Sequence, residues 1–554
     1  MRPVLEQGLG LCQRHGQRVV RLARRHRLFT SLLAGALAVR LAVMAAYHPA
    51  LYFYDTYEYV GAALRPQPYV VRPSGYSILL LFLEPFHSLR LVVLLQHLMG
   101  LAIGVIVYAL LRRYSVHPVA AAAAASPQLF DAQQIELEHL ILSETLFTFL
   151  TVVAVALLLW RRGAASWTFA AAGAAFGAAS LTRVVGLPLA LAALGWLLAR
   201  RTAARNVGAF AAALVIPLLG YAGWFQSYHG SFEITGSSGV FLYSRTMSFA
   251  DCSRMDPPPD LRVLCTAQPR DERWPPSDYI WHPAAPLQDI QGPTFSPYKE
   301  SLAMRFALRA VVTQPLDYAR VVAVDFGRTF GGRIADYPTW DLARHYRFRD
   351  QPVPIPDRTF VAGGSAPRDM RVYERGDASP RAEQPLVRWL VRYQKLVVVP
   401  GPVLGLLLFA PLGVLVWVAV RRWRAGPPGP GEAAADGWDG RDGREGEEGA
   451  ERRAGSRAGS PAAALALVVA AGFVMLVVPP MTAGFDYRYV PPALPFLGVA
   501  GALAVRAVSR LRPGRSTSWP TRRRRTAPAP SAPVPRPAAA APAESPVPPS
   551  TRPG

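Results

Sequence analysis

Two short stretches hold polar residues whose types and spacing suit chemistry. Just after the first membrane-length apolar run comes Leu51-Tyr-Phe-Tyr-Asp55-Thr-Tyr-Glu58-Tyr, and then Val71-Arg72-Pro73-Ser74-Gly75-Tyr76. A carboxylate can take a proton from a hydroxyl, and a guanidinium can grip phosphate oxygens with parallel N–H donors. Together these are the groups needed to move a building block activated as a phosphate. Similar residues recur along the chain: Glu136, Glu138, His139 and Glu144; then Arg183; then Asp486, Arg488 and Tyr489 in Gly484-Phe-Asp-Tyr-Arg-Tyr-Val-Pro-Pro. Ionisable groups close to apolar runs are costly to keep and are functional candidates for that reason.

Each has a plainer alternative. Asp55-Thr-Tyr-Glu58 fits a capping box, with Asp55 accepting from the backbone and Glu58 reaching back, and this role is compatible with catalysis. The tyrosines at 52, 54, 57 and 59 fit either an interfacial aromatic belt or a platform for a sugar ring. Arg72 suits phosphate contact or a snorkelling side chain, and Arg488 a phosphate clamp or an interfacial anchor. Glu144 enters an apolar run, where Arg183 could serve as a structural ion-pair partner. His139 beside Glu138 could ligate a metal, but no second histidine stands at ligand spacing. Neither a Walker A loop, nor GxGxxG after a strand, nor HExxH, nor a CxxC pair occurs, so no ATP-driven engine or zinc-hydrolase site is visible.

The elements that must position these residues are membrane helices. The chain has 554 residues, 51% of them hydrophobic, and they cluster in runs. Runs of about 20 residues cross a ~30 Å hydrocarbon layer. Ten spans are expected, at 28–47, 90–111, 117–133, 139–160, 166–182, 184–199, 206–226, 396–420, 461–480 and 491–508. A net charge of +23 would suggest nucleic acid in a soluble chain. Here the arginines cluster at span ends instead: Arg24-Arg25-His-Arg27, Arg112-Arg113, Arg161-Arg162, Arg200-Arg201, Arg421-Arg422-Trp-Arg424 and Arg522 to Arg525. With ten spans all of them fall on one side, which the positive-inside rule makes the cytoplasm. The only lysines are Lys299 and Lys395, and there are 52 prolines, a bias that points to a GC-rich bacterial genome. The first apolar run reads as a retained span rather than a cleaved signal, because removing it would upset the alternation. Arg40 inside it either faces other helices or snorkels outward.

This topology predicts a cytoplasmic segment at 1–27, a transmembrane module at 28–226 with its first outer loop at 48–88, and an extracytoplasmic region of mixed or irregular structure at 227–394. Helices are expected there over about 298–313 and from Pro315. C-terminal membrane helices at 395–508 enclose a solvated linker at 425–459, and a disordered tail fills 509–554. Cys252 and Cys265 lie outside, where a disulfide fits an oxidising compartment, with two free thiols as the alternative.

The order Asp55, then Arg-Pro-x-Gly-Tyr, Ser-Glu-Thr-Leu, Thr-Arg-x-x-Gly-Leu and a late Arg-Tyr-x-x-Pro resembles integral-membrane glycosyltransferases of the GT-C fold. The bacterial relatives of protein O-mannosyltransferases and lipid A aminoarabinose transferases are the nearest in flavour. The resemblance covers roughly 28–330 and 461–508. It implies an all-α polytopic fold, a polyprenyl-phosphate sugar donor, a lipid, glycan or protein acceptor at the outer face, and inversion at the anomeric carbon. Carried over, Asp55 would be the base, and Arg72, Arg183 and Arg488 would hold the departing phosphate. Glu58 is the second catalytic candidate beside Asp55, and Tyr57, Tyr76, His139, Glu144 and Tyr489 are further site candidates. The family often has an acidic pair after the first span; here Thr56 follows Asp55, which leaves a second catalytic carboxylate and a divalent cation open. The competing functions are a transporter or flippase of lipid-linked sugars, which tends to bind near the bilayer midplane in repeated halves, and a silent scaffold.

Overall fold

The computed structural model describes residues 24–160, 164–332, 336–424 and 460–511. The expected linker and tail, nearly all of the N-terminal segment, Arg161-Arg162 and Arg522 to Arg525 fall outside those residues.

Each apolar run forms a helix. They are α1 (Arg27–Ala46), then, after α2 (Tyr54–Leu64) and α3 (Gly75–Leu83), α4 (Leu89–Arg113), α5 (Pro118–Phe130) and α6 (Ala132–His139). Next come α7 (Glu144–Trp160), α8 (Ser166–Thr182), α9 (Gly186–Ala199) and α10 (Ala204–His229). Among the described residues six helices, counting a last one that runs on from Tyr487, are long and apolar enough to cross a membrane. The other runs give shorter helices, such as the 17 residues of α7 and the 14 of α9. The expected spans at 117–133 and 139–160 are corrected at their ends. Asp131 breaks the chain by accepting the Gln134 N–H at 3.0 Å, which stops α5 and starts α6.

Past residue 230 irregular connections alternate with helices, among them α11 (Ser238–Thr246), α12 (Pro297–Thr313), α13 (Pro315–Arg328), α14 (Ala366–Glu374) and α15 (Leu386–Leu396). The two helices expected there are α12 and α13. The only named strands among the described residues are two-residue segments, β1 (Tyr47–His48) and β2 (Arg381–Ala382), paired antiparallel. This single segment also divides between two cores. Residues 240–310 pack around Tyr243, Tyr279 and Phe306, with the Cys252–Cys265 disulfide on that side. Residues 342–390 pack instead onto α2 and the turn after α1, through Tyr346, Met370 and Leu390. The third core joins the membrane-length helices, including α16 (Gly401–Arg424), α17 (Pro461–Thr482) and α18 (Leu494–Leu511).

Inside the bundle, Arg40 faces other helices. Its Nε and Nη2 donate to Glu138 at 2.7 and 2.8 Å, and Nη1 donates to the Leu129 carbonyl at 2.8 Å. Glu138 also accepts from Gln134, and lies 3.0 Å from His97 Nδ1; His97 Nε2 lies 3.2 Å from His139 Nδ1. An arginine at mid-membrane costs about 2.5–3.5 kcal/mol on insertion scales, and this saturated pairing offsets it.

Candidate active site

Phe53 N–H donates to Thr56 Oγ1 at 3.0 Å, and the Thr56 hydroxyl donates to the Ile141 carbonyl at 3.0 Å. This cap corrects the expected box: Phe53, not Asp55, is the N-cap of α2. Asp55 is thereby left free in the first turn, where the positive end of the helix favours a carboxylate.

The loop after α2 delivers Arg72. Ser237 donates to the Val71 carbonyl at 2.7 Å, and the Ser74 N–H donates to Tyr221 on α10 at 3.0 Å. Gly75 then lets α3 start against the end of α8, since a Cβ there would sit 2.5 Å from the Leu181 carbonyl oxygen. Arg183 is the residue that ends α8. Gly186 serves the same turn from the other side, where a Cβ would meet the Ser180 nitrogen at 2.5 Å. Arg488 sits in a short 3₁₀ turn (Tyr487–Tyr489) capped by Asp486, whose Oδ1 accepts the Arg488 N–H at 3.2 Å.

These groups converge. Arg72 Nη1 lies 3.0 Å from Asp55 Oδ1, and Arg488 Nη1 lies 2.6 Å from Asp55 Oδ2. Arg488 Nε reaches Asp486 Oδ2 at 3.2 Å and Glu144 Oε1 at 3.8 Å. Arg183 pairs with Glu144 at 2.6 Å and donates to Ser143 at 3.1 Å. Tyr346 donates to Asp486 at 3.0 Å. The Arg488 guanidinium also lies over Phe53 and Tyr489, 4.8 and 5.2 Å from their centroids. Three carboxylates and three guanidiniums thus interlock, yet Glu144 Oε1 and Arg488 Nε make ion pairs without an aligned hydrogen bond, and Glu144 Oε2 has no hydrogen-bond partner. Burial pushes the Asp55 carboxyl up, but Arg72 and Arg488 outweigh it and hold the group below its ordinary value. At Asp486 burial wins, and the carboxyl is raised despite Arg488.

Asp55, Arg72, Asp486, Arg488 and Tyr489 line a cavity of about 570 Å³. Its far wall comes from the segment past residue 230: Trp281, Asp341, Arg358 and Phe360 among others. Glu58 reaches the same cavity with both oxygens already engaged, accepting the Val361 and Ala362 N–H groups at 3.1 and 2.8 Å. Arg65 grips the same loop through the Ala362 and Gly363 carbonyls and Asp369. Among the described residues no group of three or more His, Cys, Asp or Glu is arranged to hold a metal ion.

Other sequence candidates lie away from the cavity. His139 is fully buried beside His97, with Nε2 3.0 Å from the Tyr47 carbonyl. Tyr76 donates to Gln96 at 2.6 Å inside the core, and Tyr57 packs on Phe360 and Tyr52. Tyr52, Tyr57 and Tyr59 are buried, so they form neither an interfacial belt nor a sugar platform; Tyr54 alone of the four lines the cavity. Sequence reading missed Asp341 and Tyr346, which sit in single helical turns too short to show periodicity, and Arg358, which sits in a loop.

No protein-family model matches this chain, and no curated protein does. Among solved structures it is similar to ArnT from Cupriavidus metallidurans bound to undecaprenyl phosphate, at 14% identity over 88% of this chain and 78% of that one, with a TM-score of 0.30. A likeness that slight carries no argument about the site.

Proposed function

We propose that this chain is a GT-C-type membrane glycosyltransferase that moves a sugar from a polyprenyl-phosphate donor to an acceptor hydroxyl at the outer face of a bacterial plasma membrane, with inversion. The acceptor is a lipid, a glycan or a protein. In this reading ten spans cross the membrane, both termini are cytoplasmic, and the 570 Å³ cavity opens outward. One observation carries it: Asp55, held by Arg72 at 3.0 Å and Arg488 at 2.6 Å on the wall of that cavity.

The clamp supplies a sequence of events. Alone, Asp55 is a weak base because two guanidiniums stabilise its charge. A donor phosphate entering the cavity offers Arg72 and Arg488 a better partner, since both can grip it with parallel N–H donors. As they turn toward phosphate, Asp55 loses that stabilisation and its proton affinity rises. The acceptor oxygen then bonds to the anomeric carbon, the carbon–oxygen bond to phosphate breaks with its electron pair, and the hydroxyl proton passes to Asp55. Arg183 and Glu144 brace Arg488 from the membrane side, and the leaving phosphate keeps its guanidinium partners throughout. Glu58 holds the loop that closes the cavity's outer wall.

The test is sugar transfer from labelled polyprenyl-phosphate sugars by membranes containing wild type or Asp55→Asn, matched for expression. Transfer by wild type and its loss in the variant supports the reading and names the donor. Equal transfer by both removes Asp55 from the mechanism. Passage of the lipid-linked sugar across the bilayer without transfer would favour the flippase alternative.

A further inference from the structure

On the other side of Tyr346 and Tyr487 from the reaction cavity lie two adjoining cavities of about 370 and 280 Å³. Gln133, Gln394, Lys395, Val398 and Tyr487 line both. Several of their polar groups are already satisfied. Gln394 exchanges hydrogen bonds with the Phe348 backbone at 2.9 and 2.7 Å, and Asp131 accepts the Val399 and Gln134 N–H groups at 2.7 and 3.0 Å. Arg347 is paired with Asp336 at 2.9 Å.

Glu136 differs. It is 2% exposed, it lines the smaller cavity, and its Oε1 has no partner. A buried carboxyl oxygen without a partner is costly unless a ligand completes it, and the cavity that Glu136 lines gives a ligand a place beside it. Burial pushes this carboxyl well above its ordinary value, with Arg347 only partly opposing. Beside it, the Gln133 amide is buried too, at 8% exposure.

The rim locates the source of a ligand. Gly401 and Leu404 at the start of α16, and Val490, Pro491 and Leu494 at the start of α18, line the larger cavity. Both helices begin on the outer side in the topology above. α15 arrives at the same level with Arg388, Arg392 and Lys395 exposed on one face and Val387 and Leu390 buried on the other. It ends at Leu396, which is 84% exposed beside Lys395. A basic amphipathic helix ending in an exposed leucine above a membrane-length helix belongs in the head-group layer.

We propose that these adjoining cavities bind the head group of an outer-leaflet phospholipid that ends in a primary ammonium, its phosphate at Lys395 and its ammonium at Glu136 and Gln133. The ammonium supplies the donor Oε1 lacks and lets Glu136 ionise against a matched charge. Val399, Leu404 and Leu494 offer apolar surface to the first methylenes of the lipid. The bound lipid then backs Tyr346, and through its bond to Asp486 it steadies Arg488. The site goes beyond the transferase reading and shares with it only the orientation in the membrane.

The test uses the full chain purified in lipid-free detergent and titrated with phosphatidylethanolamine, phosphatidylcholine or phosphatidylglycerol, with occupancy read by native mass spectrometry. Phosphatidylethanolamine should bind one per chain, at least about tenfold more tightly than phosphatidylcholine, whose trimethylammonium has no N–H to donate. Glu136→Gln should reduce it to the phosphatidylcholine level while melting like wild type in detergent alone. Lys395→Ala should weaken both lipids alike. Equal binding of the two lipids would overturn the assignment, as would phosphatidylglycerol binding as tightly as phosphatidylethanolamine, or a preference that survives in Glu136→Gln. Should Glu136→Gln melt early, Gln133→Leu carries the same comparison, and an unchanged preference there counts against the site.

Discussion

Two of the buried charge clusters among the described residues differ in how completely they are satisfied. Around Glu138, Arg40 makes a two-pronged contact, Gln134 and His97 fill the remaining positions, and the group lines none of the three cavities described above. Around Asp55 the charges are as dense, but Glu144's oxygens and Arg488 Nε keep unused hydrogen-bonding capacity and the cluster faces a cavity of about 570 Å³. The first cluster holds helices together, with α1, α4 and α6 meeting at one carboxylate. The second holds polar capacity in reserve. Ionic content alone therefore says little about function; what separates the clusters is whether a ligand could still complete them.

The sharpest way to break this comparison is at the two carboxylates. Asp55→Asn should lower sugar transfer by about 10²–10⁴-fold, the usual worth of a positioned base. The variant should still insert and melt within a few degrees of wild type, as checked by membrane extraction and a thermal shift. The pH dependence sharpens the point. Because the folded Asp55 pKa is depressed, its contribution to stability is present above the unfolded value of about 3.9 and is lost as pH falls through the lower folded value. The acid limb of kcat/KM, which reports the free enzyme, should therefore lie below about pH 3.9 where Asp55 is concerned. The limb of kcat should lie higher, because bound phosphate has drawn the arginines away. Coincident limbs would count against the exchange of partners.

Arg488→Lys comes next. It keeps the charge but cannot bridge Asp55, Asp486 and Glu144 at once, so transfer should fall about 10²-fold, in the range of one lost transition-state donor. At the other cluster, Arg40→Met should leave Glu138 uncompensated and cost about 3–5 kcal/mol of stability. Transfer per folded molecule should stay within about twofold, a change too small to register as lost catalysis. The double variant Arg40→Met/Glu138→Leu should recover much of that stability, since an apolar pair of similar bulk is tolerated where a broken ion pair is not. A large loss of specific activity in Arg40→Met would erase the distinction between the clusters.

Much of this was legible in the residues. The apolar runs place the long helices to within a few positions, because a span's length is set by the bilayer. Asp55, Arg72, Arg183, Glu144 and Arg488 were all singled out as ionic groups near span ends, and the fold brings them together from five separate elements. Arg40 facing the bundle, the Glu144–Arg183 pair and the Cys252–Cys265 bond were each one of two open readings that the structure decides. Tertiary context decided the rest. Asp131 breaks a helix that hydropathy ran through, and Thr56 supplies the cap that the pattern gave to Asp55. Nothing local shows that Tyr76 and His139 turn into the core. Tyr346 and Arg358 come from stretches with no period to read, and only packing against α2 and the 486–488 turn gives them a place.

The smallest effect tests a carboxylate between the two kinds. Glu58 lines the 570 Å³ cavity like Asp55, yet it is satisfied like Glu138, by the Val361 and Ala362 N–H groups. If satisfaction is what separates structure from chemistry, Glu58 positions a loop. Burial raises its carboxyl above the ordinary value, and the two backbone donors only partly oppose this. Its neutral isostere therefore gives up little charge stabilisation. Glu58→Gln keeps one acceptor oxygen for the loop and loses the other, so the outer wall carrying Phe360 and Arg358 should loosen. KM should rise by about threefold to tenfold with kcat little changed, the pattern of weakened ground-state binding. Proteolysis within 351–364 should quicken in parallel. A loss in kcat as deep as that of Asp55→Asn would instead make Glu58 a second reacting carboxylate, and a fully satisfied carboxylate would then have to shed two backbone donors before it could act.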